Sequence, residues 1–270
     1  MKKLFYFLPL LVLLSCNNDD NNIQEESYTP YPKGYFVFNS GVMDTIKLEY
    51  DNNKVIKRIG DWIQLSNSTG FNNSFSKDIE NHISYNGDLA SLNKISKSGE
   101  VTFNQLITYK LNSQGKIYEA VHTSLSRPNY SEKYVYMYDN NQLKNIDLFV
   151  TDNYYTNDLR SRQDFYFNKN ENLDSIVYRK AIYDFYDESI APYIDYKVKE
   201  RKVTKFTNYD SAKNPFINLG LFTDLFFQSL SKNNFRKIEN TTFDQNGKNI
   251  GIEESSWEYE YINGEVKVLK

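Results

Sequence analysis

A short phrase recurs along the chain and constrains the fold more than any other feature. It reads LEYDNNKVIKRI at 48–59, ISYNGDLASLNKI at 83–95, ITYKLNSQGKIYEAV at 107–121, YMYDNNQLKNIDLF at 136–149 and FYFNKNENLDSIVY at 165–178. TTFDQNGKNIGI at 241–252 is a looser copy, and EYEYINGEVKVL at 258–269 is the last. Each copy ends a run on an aromatic residue, passes through a break rich in Asn, Asp or Gly, and restarts with aliphatics. Asn-Gly and Asp-Asn tolerate positive φ, which tight reversals need if their twist is to match that of the flanking strands. The phrase therefore encodes a β-hairpin, and its repetition a succession of them.

The flanking residues alternate as half-buried strands do. In TIKLEYD, Ile46, Leu48 and Tyr50 fall on one face and Lys47 and Glu49 on the other. In SWEYEYING, Trp257, Tyr259 and Tyr261 oppose Glu258 and Glu260. Such strands have one wet face. The 23 tyrosines and 18 phenylalanines, against 11 glycines and 6 prolines, suit a pleated surface, whereas alanine-poor, asparagine-rich segments make poor helices. The copies are spaced too irregularly for a solenoid or propeller. The expectation is an all-β domain, a large curved antiparallel meander of hairpins, open or barrel-like.

One stretch departs from this pattern. NPFINLGLFTDLFFQSLSKNNF, 214–235, sets Phe216, Leu219, Phe222, Phe226 and Leu230 near helical spacing, with Pro215 as a first-turn residue and Asn233-Asn234 as a stop. It predicts one short helix near 219–231, packed on the sheet or plugging one end. An apolar loop inserted into the core is the alternative.

The amino terminus, MKKLFYFLPLLVLLSC, pairs the positive Lys2 and Lys3 with an apolar stretch from Leu4 to Leu14, the pattern of a secretory signal. The stretch is shorter than the roughly 20 residues that span a bilayer as a helix. Leu13-Leu14-Ser15-Cys16 resembles the bacterial lipobox, which implies removal of residues 1–15 as a signal peptide and acylation of Cys16. Cys16 is the one cysteine, so the fold must hold without an internal disulfide. Residues 16–34 read as a flexible polar tether and 35–270 as a single antiparallel β domain. Asp19 and Asp20 resemble the acidic export signal of surface lipoproteins in the Bacteroidota; a plain solvated linker is the alternative. The expected location is the outer membrane, as a lipoprotein on its periplasmic face or at the cell surface, held by N-terminal acyl chains. A spanning barrel is not expected, because DYKVKERKVTKF at 195–206 scatters charge over both faces of a strand. Loss of Lys2 and Lys3 with the signal takes the formal charge from −3 to −5, which leaves no electrostatic case for a nucleic-acid partner.

The Tyr-Asp phrase TNYDSAKNPF at 207–216, taken with the lipoprotein signal, resembles the uncharacterised lipoproteins of gut and marine Bacteroidota built from successive YD-like β-hairpins and described as porin-like in fold. The phrase is also similar to the YD repeats of Rhs-type shell proteins. The resemblance covers most of the chain from residue 35 onward. It implies a curved antiparallel sheet in a domain of unknown function, and it transfers no catalytic residue.

The inventory of reactive groups is thin. His82 and His122 are the two histidines and have no metal-ligand spacing, so both read as ordinary strand or loop residues. There is no G-x-S-x-G elbow or phosphate-cradling glycine loop, and Asp51-Asn52-Asn53 and Asp139-Asn140-Asn141 read as turns rather than calcium ligands. No metal and no cofactor is expected. Glu253, Glu254, Glu258 and Glu260 could supply a carboxylate pair for glycoside hydrolysis, but their alternation with aromatics marks a solvated sheet face. Aromatics are the better lead: Trp62, where a strand reads as ending, and Tyr154 and Tyr155, after a polar break, are the candidate ligand-binding residues. The expected function is that of a lipid-anchored, non-catalytic cell-envelope protein binding a glycan, peptide or envelope-protein partner, accessory to nutrient capture. A hydrolase with paired carboxylates in the sheet concavity and a structural or assembly scaffold stay open as alternatives.

Overall fold

The computed structural model describes residues 31–39, 42–67, 70–182, 192–194, 201–244, 246–262 and 265–269. The signal segment, Cys16, Asp19 and Asp20 lie outside the described residues. Of the expected tether, Tyr31 to Lys33 already pack on the sheet. Tyr31 meets the Tyr50 ring edge-on at 5.6 Å, and the Tyr50 hydroxyl donates to Pro32 O at 3.0 Å.

The strands are β1 Gly34–Asn39, β2 Val42–Asp51, β3 Lys54–Asn67, β4 Gly70–Asn86, β5 Leu89–Ser96, β6 Gln105–Leu111, β7 Ile117–Ser124 and β8 Ser131–Asp139. They continue as β9 Gln142–Thr151, β10 Asp158–Phe167, β11 Leu173–Lys180, β12 Arg201–Lys213, β13 Asn233–Phe243, β14 Asn249–Ser256, β15 Glu258–Ile262 and β16 Glu265–Leu269, with one helix, α1, at Phe226–Ser229. β1 to β14 pair antiparallel in strict chain order, the expected meander; the β15–β16 hairpin then adds β16 parallel to β1. All belong to one sheet.

The recurring phrase sorts by end. Its first five copies form the β2–β3, β4–β5, β6–β7, β8–β9 and β10–β11 reversals, all at one end of the sheet, here the turn end. Asn52 and Asn53 (φ 48° and 64°) and Asn140 and Asn141 (φ 46° and 70°) supply the two consecutive positive φ values of a type I′ turn. The opposite, loop end carries longer connections at 97–104, 125–130 and 152–157. The looser copy, at 241–252, falls there.

The inner face buries two apolar clusters. One gathers Ile46, Leu48, Ile83, Leu92, Tyr109 and Ala120 from the first half of the sheet, and the other gathers Ile146, Phe165, Ile176, Phe206 and Phe235 from the second. The segment 214–231 turns inward between β12 and β13 and completes both. Phe216, Leu219, Phe222 and Leu225 are buried in the first cluster, while Phe226, Phe227 and Leu230 pack on the second. The expected short helix is confined to Phe226–Ser229. Ahead of it the chain makes successive tighter turns, with Leu219 N–H bonded to Phe216 O (2.9 Å), Phe222 N–H to Leu219 O (3.0 Å) and Leu225 N–H to Phe222 O (3.0 Å). A three-residue turn places every third side chain on one line, so 216, 219, 222 and 225 all point into the core. Asn214, almost fully buried, ties the plug's ends together by donating from Nδ2 to Gln228 O (2.5 Å) and Ser231 O (2.7 Å).

Strand order has two ends, β14 and β15, and these are consecutive in the chain. The chain passes from β14 to β15 through Trp257, whose N–H extends the β13–β14 ladder to Arg236 O at 2.9 Å, and the sheet curls so that side chains tie β15 to β12 and β13. Asn234 Nδ2 donates to the Tyr261 hydroxyl at 2.6 Å, Tyr261 donates to Asp210, and Arg236 pairs with Glu258 at 2.7 Å.

The outer face carries cross-strand ion pairs where strands alternate away from the core. Lys57 and Lys97 each reach Glu80 at 2.9 Å, Lys110 meets Glu119 at 2.7 Å, Arg162 meets Asp147 at 2.6 Å, and Arg179 pairs with Asp164. Burial alone would raise the Glu80 carboxyl, but hydrogen bonds from Lys97, Lys57 and His82 outweigh it and pull it down to about 2. Among the described residues no helix is long and apolar enough to cross a membrane.

Candidate functional site

At the loop end the inner face opens into a cavity of about 700 Å³, inside the range of about 300–1,000 Å³ typical of small-molecule sites. Its walls are β3 to β7 with the 97–104 and 125–130 connections, and its floor is the plug at Leu221 to Asp224.

The floor rests on a sequence irregularity. Residues 58 and 61 are an odd number apart and would point to opposite faces of an unbroken strand. The β3–β4 register shifts between Ile59 and Asp61, and Gly60 sits at φ 95°. At this irregularity the Asp61 carboxylate reaches Arg58 on the inner side, while Trp62 keeps the face that its spacing of four from Arg58 gives it. A side chain at Gly60 has no room: a Cβ there would lie 2.7 Å from Phe75 Cζ.

Arg58, almost fully buried, then bridges wall and plug. Its guanidinium pairs with Asp61 at 2.5 Å and with Asp224 of the plug at 2.6 Å, and lies 4.4 Å from the centre of the Phe222 ring. Lys94 Nζ pairs with Asp61 at 2.8 Å, and Asn81 Nδ2 donates to the same carboxylate at 2.9 Å. Burial would lower the Arg58 pKa, but Tyr35, Asp224 and Asp61 outweigh it and push it up. For Asp61 burial would act upward, yet Arg58 and Lys94 outweigh it and hold the carboxyl below its ordinary range. Buried pairs add little net stability, because desolvation offsets attraction, but each partner is costly to strand. Their effect here is to fix where the plug sits. The Tyr109 hydroxyl adds a second hook, donating to Leu221 O at 2.6 Å.

Above the floor the lining changes character. Trp62 and Phe103 face the cavity, Trp62 held by an edge-on contact with Phe75 at 5.7 Å and Phe103 covered by Lys94 at 4.9 Å. Asn104, Gln105, Ser124 and Ser126 supply uncharged polar groups toward the mouth. His122 also lines the space, packed on Tyr134 at 4.8 Å. Burial lowers the His122 pKa, and Glu132 opposes this only in part, so the ring is neutral at neutral pH.

The expected aromatic residues divide. Trp62 is in the cavity wall, but the strand expected to end there runs on through Asn67. Tyr154 and Tyr155 lie outside the lining, on the neighbouring 152–157 loop. Asp152 Oδ1 shapes that loop by accepting from the N–H groups of Tyr154 (2.8 Å) and Tyr155 (2.9 Å). Tyr154 is 89% exposed, whereas the Tyr155 ring is covered by the Arg160 guanidinium at 4.5 Å. Asn129 Nδ2 donates to Asn153 Oδ1 at 3.0 Å and ties this loop to the cavity's 125–130 rim. Glu253, Glu254, Glu258 and Glu260 are exposed on β14 and β15, away from the cavity. The residues that sequence reasoning missed are Arg58, Asp61 and Asp224, whose only local signal is a glycine inside a strand pattern.

No protein-family model and no curated protein sequence matches the chain. Among solved structures it is similar to a porin-like protein from Bacteroides vulgatus ATCC 8482, with a TM-score of 0.51 at 13% identity over 88% of this chain and 92% of that one. A porin-like protein from Bacteroides uniformis ATCC 8492 gives a TM-score of 0.45 at 13% identity over 89% and 95%. The likeness to the Bacteroides vulgatus protein extends over nearly all of both chains, and what the two share at this identity is the fold.

Proposed function

We propose that the protein is a lipid-anchored, non-catalytic binding protein of the cell envelope, which takes a small ligand into the loop-end cavity. The observation that carries this reading is the plug. Phe216, Leu219, Phe222 and Leu225 are buried inside the curled sheet, so the interior is a packed core with a blind cavity above it rather than a water-filled channel. The charged outer face supports the same reading, since a lipid-facing Lys or Arg costs about 2–4 kcal/mol at mid-bilayer. The chain then reaches the envelope through acyl groups on Cys16, after removal of residues 1–15, with the polar tether as a spacer. The porin-like name of the similar Bacteroides protein is in keeping with an envelope location. Binding is favoured over hydrolysis because a glycosidase needs one carboxyl free to donate a proton, and the cavity's two carboxylates, Asp61 and Asp224, are both engaged by the buried Arg58 guanidinium.

Two measurements test this. Intact mass of the protein extracted from membranes should show the polypeptide from Cys16 onward plus acyl chains, and Cys16→Ser should leave it unacylated and release it to the soluble fraction. Thermal melts of the soluble domain should be run against separate pools of neutral saccharides, charged saccharides, amino acids and dipeptides. A ligand at one hundred times its Kd stabilises by about 2.7 kcal/mol, a rise of roughly 5–10 °C for a domain of this size. A polypeptide without acyl mass removes the anchor, and pools that all leave the melt unchanged remove the binding role.

A further inference from the structure

The cavity's chemistry narrows the ligand, and we infer that it takes a neutral, hydroxyl-rich molecule, a short uncharged saccharide, with one ring face laid on Trp62. This rests on the binding role proposed above. The charges of the floor cancel among themselves: Arg58 is shared by Asp61 and Asp224, and Lys94 is paired with Asp61. A charged ligand seated there would lose its hydration without gaining a counter-ion of its own. His122 adds no charge, because burial keeps it neutral. Arg127 belongs to the exposed rim, where a charge stays in water.

What the cavity offers instead is uncharged. Thr102, Asn104, Gln105, Ser124 and Ser126 present hydroxyls and amides that both donate and accept, matching a ligand whose hydroxyls do the same. Rings bracket them, with Trp62 and Phe103 at one side and Tyr130 at another. Phe103 already carries Lys94, and the Phe222 ring is taken by Arg58, which leaves Trp62 as the indole available for stacking. An extended peptide fits less well. Peptides gain affinity by adding to an open strand edge, whereas β3 to β7 are each paired on both sides.

The protein's two tryptophans make the test direct, since Trp62 lines the cavity and Trp257 sits 5.8 Å from Phe235 at the seam. Calorimetric titration and Trp fluorescence should be measured with maltose, cellobiose and N,N′-diacetylchitobiose, with digalacturonate and the chitosan disaccharide as charged counterparts, and with Gly-Tyr. The expected result is binding of at least one neutral disaccharide, with a change in Trp62 emission that persists in Trp257→Phe. Affinity should vary by less than about twofold between low and high salt. It should fall about tenfold or more in Trp62→Ala. Gln105→Ala, at the exposed rim, gives a second lesion that leaves the core untouched and should also weaken binding. Neutral binding undiminished by both variants would overturn the placement. Binding of only the charged saccharides or of Gly-Tyr would overturn the ligand class while leaving the binding role standing, and silence across all probes and pools would remove both.

Discussion

The two ends of the sheet are built on opposite terms. At the turn end, the five hairpins reverse over Asn-Asn pairs, a lone glycine or, in 168–172, Glu171, each at positive φ, so their geometry is set within two to five residues. At the loop end, several connections are longer, and contacts with other parts of the chain help hold them, as Asn129 with Asn153 and Asp78 with Ser98 illustrate. The contrast places locally determined reversals at one end and connections tied by long-range contacts at the other. The plug enters from the turn end and presents Leu221 to Asp224 toward the loops, so the cavity it floors faces them. Local chemistry holds the scaffold in register, and long-range contacts hold the site.

The largest expected effect tests whether the plug belongs to the core or is an accessory. Phe222→Ala should cost about 3–5 kcal/mol, the range for a fully buried aromatic ring in a packed core, read by urea unfolding beside Phe206→Ala in the opposite cluster. A plug merely resting on the sheet would make the first far cheaper than the second. Next comes the bulge that joins wall to plug. Gly60→Ala should destabilise by about 1–3 kcal/mol, from backbone strain at positive φ and from crowding against Phe75, and should abolish the cavity's Trp62 signal. A neutral outcome would mean that the bulge does not set the position of Asp61.

The comparison between ends sharpens with smaller lesions. Asn141→Ala, at φ 70°, should cost about 1–2 kcal/mol, while Asn141→Gly should be close to neutral. Ser126→Ala at the loop end should stay within about 0.5 kcal/mol. Equal costs at both positions would erase the distinction. The mildest expected effect is a pH dependence. Because His122 is held below its ordinary value, the unfolded chain takes up the proton first as pH falls through about 6.5, so melting temperature should decline from there downward. His122→Gln should flatten that decline. Acid loss from Glu80 belongs to a separate window, from the ordinary carboxylate range down to about 2.

How much of this was legible in the sequence follows from the same physics. The hairpins were readable because Asn52-Asn53, Gly87 and Asn140-Asn141 carry their backbone requirement in their own identity. The plug was half readable: its apolar residues are marked, but the eye set to 3.6 residues per turn picks Phe226 and Leu230, whereas the inward line runs at three through Leu225. The floor of the site was not readable. Arg58 and Asp61 appear on opposite faces by their spacing, and only the irregular backbone at Gly60 lets the Asp61 carboxylate reach Arg58, while Asp224 reaches them from 166 positions along the chain from Arg58. Trp62 stood out as an aromatic beside a break. Tyr154 and Tyr155 stood out equally and are exposed, but they lie on a neighbouring loop outside the cavity lining, because which loops frame a cavity is set by contacts across the sheet rather than by local composition.

Amide hydrogen exchange across the plug tests the central claim most directly. If the sheet is curled around a packed interior, the amides of Leu219, Phe222 and Leu225 should exchange as slowly as those of the central strands and far more slowly than those of 98–104. Exchange of the three at loop-like rates would mean that the interior stands open and that the cavity has no floor.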